Sequence, residues 1–397
     1  MSAPTEPDGL RGGGPPLYVH LPFCVVKCSY CDFYSVVDEG HDRMRFVEAI
    51  LAEARAVGVR EPRTVFFGGG TPSFLSEAEL ERLFVGLEEI SGFRGSAGEV
   101  TVECNPESLT PSKARLLREL GADRLSIGVQ SLDPAILELF GRAHGNEQSF
   151  AAYEAARRAG FERVSLDVIY AVPGQELDPW LADLERLLDL GPDHVSAYSL
   201  AFEEGTSFTR WLREGRIERL DEDQELAFFL ATRARLEDHG LDAYEVSNFS
   251  SLDQQCAHNV NYWRNGPYAG IGPSAVAKSG WRRAGNPRSL VRWQAAVEAG
   301  RPATEWEETL EPLARLGETW WLGLRLAAGV DAAEARGTSG WEAPPEATDP
   351  AARLAATLEA EGWLEQPRPG CWALSSRGLP LADRISARFL ALDEPSG

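Results

Sequence analysis

The sequence has no apolar run long enough to span a bilayer, and its N-terminus lacks the charged-then-apolar pattern of a signal peptide. It is also short of positive charge, because 39 Lys and Arg residues stand against 61 Asp and Glu residues, for a formal net charge of -22. This balance opposes binding to nucleic-acid phosphates and to anionic lipid. We therefore expect no nucleic-acid partner and no direct insertion into a membrane.

Cysteine is scarce as well, with six residues in a chain of 397. Three of them, Cys24, Cys28 and Cys31, fall within eight positions, and the others are scattered singly. Such usage excludes a disulfide framework and indicates a reducing compartment, so we expect a cytoplasmic protein.

Closely spaced thiolates are ligands for soft metals and iron–sulfur clusters. A cubane held by three cysteines has one iron without a protein ligand, and that iron can bind and reduce another molecule. A structural zinc site with His20 or His41 as fourth ligand is the alternative. Zinc sites usually pair two cysteine knuckles, and this sequence has one, so the spacing favours an iron–sulfur cluster.

After a Pro/Gly-rich segment, 1–16, which we expect to be a flexible tail, short β-rich runs alternate with helical patterns. The expected strands are Leu17–Leu21, Thr64–Phe67, Glu99–Glu103, Arg124–Val129, Arg163–Tyr170 and His194–Leu200. The expected helices are Met44–Ala56, Glu77–Glu89, Pro111–Leu120, Gln148–Ala159 and Pro179–Leu190. Six successive βα units predict an α/β fold with a parallel sheet, closed into a partial (β/α)6 barrel over residues 17–240.

Three of these strands have one aliphatic and one small or polar face, because side chains alternate along a strand. The second face carries Glu99, Thr101, Glu103, Asn105, Arg124, Ser126, Gly128, Gln130, Ser165 and Asp167. If the aliphatic faces pack on helices, these polar side chains line the lumen, where buried carboxylates need partners. A polar ligand would supply them, and an internal network of waters and salt bridges is the alternative.

Residues 241–304 connect the barrel to a last unit, 305–397. Within it, Cys256–Ser274 is dense in glycine, asparagine and aromatic residues, typical of a loop that covers a ligand. The last unit is mainly helical, with expected helices at Leu316–Ala327, Ala351–Gly362 and Leu379–Leu392, strand-like runs at Trp363–Glu365 and Cys371–Leu374, and a loop at Gly337–Pro350. This order resembles a winged helix.

The cysteine spacing resembles the signature of radical S-adenosylmethionine (SAM) proteins. Further motifs extend the similarity, namely Tyr18-Val-His20, Gly68-Gly-Gly-Thr-Pro72, Glu103-Cys-Asn-Pro106, Arg124-Leu-Ser-Ile-Gly-Val-Gln-Ser131, Gly141-Arg-Ala-His144 and Asp167-Val-Ile-Tyr-Ala-Val-Pro-Gly-Gln175. Together they resemble the oxygen-independent coproporphyrinogen III oxidase family and, within it, the HemW branch of haem chaperones. In the oxidases a fourth cysteine follows two residues after the third. Phe33 stands there in this sequence, which favours the HemW branch.

The resemblance implies a 4Fe–4S cluster on Cys24, Cys28 and Cys31. It also implies SAM contacts from Tyr18, Tyr30, Gly69, Gly70, Thr71, Glu103, Gln130, Arg142 and Asp167. Glu103 can accept from the SAM amino group, Arg142 can pair with its carboxylate, and Gln130 and Asp167 can bond ribose hydroxyls. His258 matches the HNxxYW motif of the branch and suits an axial haem ligand, with the Cys256 thiolate as the alternative.

We therefore expect a haem chaperone that binds haem, a 4Fe–4S cluster and SAM and passes haem to acceptor proteins, with no residue assigned to catalysis. The alternative is a radical SAM enzyme that decarboxylates coproporphyrinogen III to protoporphyrinogen IX. A zinc protein without radical chemistry is a third hypothesis. The resemblance also leaves a homodimer open.

Overall fold

The structure, a computed structural model, describes residues 13–342 and 349–392. Residues 1–12 of the expected tail, 1–16, therefore lie outside the described part of the chain. Its last residues are bonded to the barrel, because Gly14 bridges Pro62 and the Pro16 oxygen accepts the Ala269 N–H at 2.8 Å.

In chain order the strands are β1 (Leu17–Leu21), β2 (Phe23–Cys24), β3 (Val36–Val37), β4 (Thr64–Gly69), β5 (Glu99–Cys104), β6 (Arg124–Gln130), β7 (Arg163–Tyr170), β8 (His194–Ser199), β9 (Asp242–Ala243), β10 (Asn248–Ser250), β11 (Ala269–Ile271), β12 (Val276–Ser279), β13 (Arg282–Gly285), β14 (Trp306–Thr309), β15 (Val330–Asp331), β16 (Leu364–Arg368) and β17 (Cys371–Leu374). The helices are α1 (Arg43–Val57), α2 (Glu77–Ser91), α3 (Phe93–Ser96), α4 (Pro111–Glu119), α5 (Pro134–Phe140), α6 (Asn146–Arg158), α7 (Leu177–Leu188), α8 (Ser207–Arg213), α9 (Glu222–Asp238), α10 (Ala257–Trp263), α11 (Leu290–Glu298), α12 (Pro312–Gly323), α13 (Ala332–Ser339), α14 (Pro350–Ala360) and α15 (Ala382–Ser386). Short 3-10 turns cover Pro72–Phe74, Leu379–Leu381 and Ala387–Ala391.

The main sheet has nine strands in the order β11-β1-β4-β5-β6-β7-β8-β10-β9. Its six central strands are parallel and follow chain order, which confirms the expected succession of βα units. At one side β11 extends the sheet in parallel with β1, and at the other β10 pairs antiparallel with β8. The sheet thus forms an open barrel with β11 and β9 at its edges.

Local sequence signals set the helix ends around this sheet. The Thr110 side chain accepts the Lys113 N–H, and Pro111 occupies the first turn of α4, as the sequence predicts. Ser76 and Glu79 form a complete capping box at the start of α2. Gly58, at φ 73°, ends α1 in the left-handed conformation that favours glycine.

The described residues form three hydrophobic clusters, and the two largest separate the barrel from the C-terminal unit. The larger one joins the barrel strands to their helices and extends to Trp293 of α11 and to Ala303. A separate cluster begins at Leu316 and is centred on Trp320, whose ring stacks on Phe389 with a centroid distance of 4.9 Å. The clusters support the proposed division near residue 304, which stays a prediction.

The C-terminal unit has the order helix, strand, two helices and two strands, from α12 to β17, with sheet order β15-β17-β16. This matches the expected winged-helix arrangement. Two expectations were wrong in detail. The expected loop Gly337–Pro350 begins later than predicted, because residues 337–339 belong to the end of helix α13. Residues 343–348 of this loop lie outside the described part of the chain. The expected helix Leu379–Leu392 is broken into two 3-10 turns around α15.

The connecting segment is also more ordered than predicted. It contains the helix α10, the parallel strand β11, and the hairpin β12–β13, to which β14 adds a third strand. The HNxxYW motif is therefore helical and is not part of a covering loop. Within the described residues no helix is long and apolar enough to cross a membrane.

Candidate cluster and cofactor site

A cavity of about 450 Å³ runs through the barrel lumen and opens where the parallel strands end. Its lining includes every sequence-predicted cluster and SAM residue except Tyr18, namely Cys24, Cys28, Tyr30, Cys31, Gly69, Gly70, Thr71, Glu103, Gln130, Arg142 and Asp167. The polar strand faces also line it, through residues such as Thr101, Ser126 and Gly128. The expected polar lumen is thus present.

The three cysteines lie at the cavity mouth on residues 24–35, here called the cluster loop, between the paired strands β2 and β3. Two backbone hydrogen bonds anchor the loop at Ser29. The Ser29 N–H donates to the carbonyl oxygen of Phe140, and the Ser29 carbonyl oxygen accepts the Phe208 N–H. Each cysteine is half-buried and free. Burial raises the pKa of the Cys31 thiol to about 11, so a bound metal would be needed to hold it as thiolate.

The barrel places a hydroxyl and a cation beside these sulfurs. Thr71 Oγ1 donates to Cys24 Sγ and Arg142 Nη1 donates to Cys28 Sγ, both at 3.5 Å. Donors to sulfur and a nearby cation stabilise the anionic thiolates that a cluster requires.

The geometry does not support the zinc alternative. Among the described residues, no group of three or more His, Cys, Asp or Glu side chains converges to hold a single metal ion. His20 bonds Tyr18 and Tyr34, and His41 bonds Asp38. A zinc ion needs four ligands at about 2.0–2.3 Å. A cubane has no such requirement, because each cysteine binds a different iron.

The glycine turn after β4 packs against β1. Gly69 has φ 105°, and a Cβ there would meet the His20 ring, while a Cβ on Gly70 would meet the Pro22 backbone. These glycines therefore permit close approach of two protein segments. The same conformation aims the Gly69 N–H at Glu103 Oε2, at 3.0 Å.

Two carboxyl groups share the lumen. Glu103 has its pKa raised to about 8, by burial first and by the charge of Asp167 second. Burial also raises the pKa of Asp167, although Ser126 Oγ donates to it at 2.7 Å and Ser165 Oγ at 3.0 Å. A cationic ligand would relieve the repulsion between these groups.

Arg142 faces them from the loop after α5. Its Nη2 donates to Asn105 Oδ1 at 2.8 Å and to the Gly128 oxygen at 2.7 Å. Its Nε is buried without a hydrogen-bond partner in the described part of the chain, as is Thr101 Oγ1. Unpartnered buried polar atoms in a cavity wall fit a polar ligand. The donor set thus suits the implied cluster at the mouth and SAM beside it.

Gln130 and Tyr30 complete the predicted set in the cavity. Gln130 has φ 65°, next to the register shift between β6 and β7, so its backbone holds a strained conformation at the cavity wall. The Tyr30 ring is held edge-on against Phe140, with a centroid distance of 4.7 Å.

Tyr18 lies outside the barrel cavity, and its predicted SAM contact stays a prediction. It lines a neighbouring cleft, and its hydroxyl lies 3.0 Å from His20 Nδ1. Its ring stacks on Phe66, which separates it from the barrel cavity that Phe66 lines. Tyr18 therefore lies one ring away from the predicted ligand.

The structure places His258 in the interior of the protein, and its predicted haem ligation stays a prediction. It is fully buried, with Nδ1 at 2.7 Å from Thr64 Oγ1 and Nε2 at 2.9 Å from the Tyr262 hydroxyl. Both ring nitrogens are engaged, so neither can ligate haem iron in this conformation. Burial lowers its pKa to about 4, which keeps the ring neutral. The alternative ligand Cys256 is buried too and points its thiol at Glu99, at 3.4 Å.

Glu99 explains why α10 closes the base of the barrel. Its carboxylate accepts the N–H groups of Ala257 and His258, both at 3.0 Å, at the first turn of that helix. Arg163 pairs with the same carboxylate at 2.7 Å. The base of the lumen thus holds a salt bridge, as the internal-network hypothesis expects. The upper part is open and polar, as the polar-ligand hypothesis expects.

Sequence reasoning placed Asn105 on the polar lumen face without a role, and it missed two further candidates, Asn259 and His194. Asn105 orients Arg142, and Asn259 of α10 lines the cavity floor. His194 also lines the cavity and lies 2.8 Å from Ser165 Oγ, which in turn donates to Asp167. The alternation of His194 and Ser196 along β8 was the signal that could have found the last of these.

Comparisons with known proteins identify the family of the chain. Residues 18–190 match the radical SAM superfamily. The heme chaperone HemW of Bacillus subtilis is 34% identical over 319 residues, covering 79% of this chain and 84% of that protein. The mitochondrial radical S-adenosyl methionine domain-containing protein 1 of Bos taurus is 34% identical over 326 residues, 79% of this chain and 74% of its own.

A solved structure supports the fold. Coproporphyrinogen III oxidase HemN from Escherichia coli, a radical SAM enzyme, superposes with a TM-score of 0.80 over 95% of this chain and 90% of its own, at 22% identity. At that identity the likeness shows the fold alone. Radical SAM membership implies a 4Fe–4S cluster and SAM, and the identity to HemW proteins over most of both chains is decisive, so the chain belongs to the HemW family of radical SAM proteins.

Proposed function

We propose that this protein is a haem chaperone that binds a 4Fe–4S cluster, SAM and haem and delivers haem to acceptor proteins. The observation that carries the proposal is the 34% identity to proteins named heme chaperone HemW over 79% of the chain. Phe33, at the position of the oxidases' fourth cysteine, is 60% exposed at the rim of the cavity. An exposed phenyl ring there offers an apolar contact where a thiol would offer chemistry.

Within this proposal Cys24, Cys28 and Cys31 hold three irons, and the cluster, when bound, supplies an electron and one open iron coordination site. The chain's own contribution is to position SAM. Its oxygen-rich pair, Glu103 and Asp167, suits a cationic, hydroxyl-bearing molecule, because bringing an ammonium group near would favour their charged forms.

Arg142 takes the opposite end of the same ligand. Burial opposes the charge of Arg142, but the neighbouring Tyr30 and Cys28 side chains leave its pKa raised, so the guanidinium stays charged. Its unpartnered Nε is free to donate to a carboxylate, while Nη2 donates to Asn105 and Gly128 and Nη1 donates to Cys28 Sγ. Gln130 and Asp167 would bond ribose hydroxyls.

The test is anaerobic reconstitution of the cluster, followed by parallel haem titration and measurement of deoxyadenosine. We expect a stoichiometric Soret band, transfer of haem to an apo-haem protein, and no vinyl product from coproporphyrinogen III. A reconstituted protein that binds no haem would refute the proposal. Deoxyadenosine together with protoporphyrinogen IX would establish the decarboxylase instead.

The identity of the acceptor, a homodimer and a cytoplasmic location stay predictions. The same preparation tests the homodimer, since light scattering measures the oligomeric state of the protein with and without the cluster.

A further inference from the structure

A second, open cleft of about 260 Å³ adjoins the barrel cavity and shares Asp32 and Phe33 of the cluster loop with it. Its walls carry six rings, namely those of Tyr18, His20, Phe33, Tyr34, Tyr262 and Tyr268. So many rings around one opening suit a flat, conjugated molecule. The volume lies below the range of about 300–1,000 Å³ typical of pockets that bury a drug-sized ligand, so a larger molecule would enter it only in part.

Hydrogen bonds hold the rings of one wall in place. His20 Nδ1 lies 3.0 Å from the Tyr18 hydroxyl, and His20 Nε2 lies 2.8 Å from the backbone carbonyl oxygen of Tyr34. The Tyr34 hydroxyl accepts the Leu290 N–H at 2.6 Å. This wall is therefore pre-formed, which reduces the entropy lost when a ligand binds.

The HNxxYW motif supports the opposite wall. The buried His258 bonds the Tyr262 hydroxyl, and the Tyr262 ring meets Tyr268 edge-on with a centroid distance of 4.7 Å. The motif histidine thus positions an aromatic wall from behind without reaching the cleft itself.

The rim of the cleft carries positive charge in a strongly acidic protein. Arg288 lines the cleft, is exposed, and donates one N–H to the Asp32 oxygen at 2.8 Å. The exposed Lys27 reaches the Phe33 oxygen at 3.4 Å. Two exposed cations thus donate to the backbone of the cluster loop at residues 32 and 33, where the exposed Asp32 side chain also lines the cleft. Flat apolar surface next to exposed cations is complementary to an aromatic macrocycle that carries carboxylates.

We propose that this aromatic cleft seats one edge of the haem macrocycle, with a propionate paired to Arg288. The inference rests on the proposed haem-chaperone function and deepens it by naming the surface that holds the cargo. Partial enclosure suits a carrier, since the exposed part of the macrocycle remains accessible to an acceptor.

The test is anaerobic haem titration of the reconstituted holoprotein, followed at the Soret band. Arg288→Gln removes the exposed cation, and Val276→Trp fills the cleft from β12, where Val276 lines it. Arg115→Gln, an exposed arginine on α4 of the barrel, is the matched control. We expect haem affinity to fall about tenfold in Arg288→Gln, as for loss of one charge-assisted hydrogen bond, and saturable binding to disappear in Val276→Trp.

Haem dimethyl ester distinguishes propionate recognition from general apolar binding. It should bind the unsubstituted protein about tenfold more weakly than haem and be insensitive to Arg288→Gln. Iron content and SAM binding should stay at wild-type levels in both variants. If Arg288→Gln and Val276→Trp both bind haem with the affinity of Arg115→Gln, the cleft proposal is overturned and the proposed function still stands. Absence of haem binding by the unsubstituted protein would overturn this inference and the proposed function together.

Discussion

Replacing His258 by alanine separates a structural role from haem ligation. The change removes the partners of Thr64 Oγ1 and the Tyr262 hydroxyl, both of which then lie unsatisfied beneath the barrel. It also removes a ring that lies 5.2 Å from that of Phe66. Each unsatisfied buried group costs about 1–3 kcal/mol, so we expect a loss of roughly 3 kcal/mol in the free energy of unfolding.

In a chain of this size that loss lowers Tm by about 5 °C. Anaerobic thermal unfolding of the reconstituted protein measures it, with His239→Ala as control because His239 is an exposed histidine at the end of α9. Tyr262→Phe removes only one of the two hydrogen bonds and should lower Tm by less.

The haem spectrum provides the second readout. Since His258 does not reach the surface, the His258→Ala complex should keep the wild-type Soret position, and its affinity should fall no more than that of Tyr262→Phe. An unchanged Tm together with a shifted Soret band would refute this reasoning and restore His258 as an axial ligand.

Three further predictions concern the lumen. Cys28→Ser should abolish the iron–sulfur absorbance and sulfide content after reconstitution, because one of the three irons that the protein binds loses its cysteine ligand. An intact cluster would contradict the assignment of Cys28 as a ligand. Since the folded pKa of Glu103 is raised from 4.5 to about 8, its folded form retains a proton that the unfolded form loses, and the stability it contributes below pH 4.5 is lost as pH rises to about 8. Glu103→Gln should flatten this part of the stability–pH curve of the cluster-free protein, measured by denaturant unfolding, and an identical curve would show that Glu103 is not its source. Glu99→Ala should cost about 3–5 kcal/mol and expose the α10 amides to hydrogen exchange, because it removes their acceptor and leaves Arg163 with Asp123 as its one paired carboxylate in the described part of the chain; unchanged protection would exclude this capping role.

Much of the barrel could be predicted because its signals are local. Arg163–Tyr170 was predicted with the bounds that the structure shows, since alternating aliphatic residues mark a strand wherever it lies. Thr110 and Pro111 marked the start of α4 for the same reason: a cap acts within one turn. The polar strand faces likewise predicted a polar lumen, because alternation fixes which side chains share a face.

The errors fall where distant residues decide the local structure. The segment at 257–263 has a loop-like composition, yet it is helical because Glu99 caps its first turn from 159 residues away. Helix α13 is an exception, because the Asp331 side chain caps its first turn locally and this signal was present in the sequence.

The sequence by itself determined the barrel, since strand periodicity is a property of neighbours, and it predicted the cluster ligands, since the chain holds three thiols within eight residues near one another. Tertiary structure alone decided what His258 and Tyr18 do. The motif histidine could have faced a ligand or the core, and its partner Thr64, 194 residues away, places it in the core. Side-chain environments assembled from remote segments depend on packing, which no local pattern encodes.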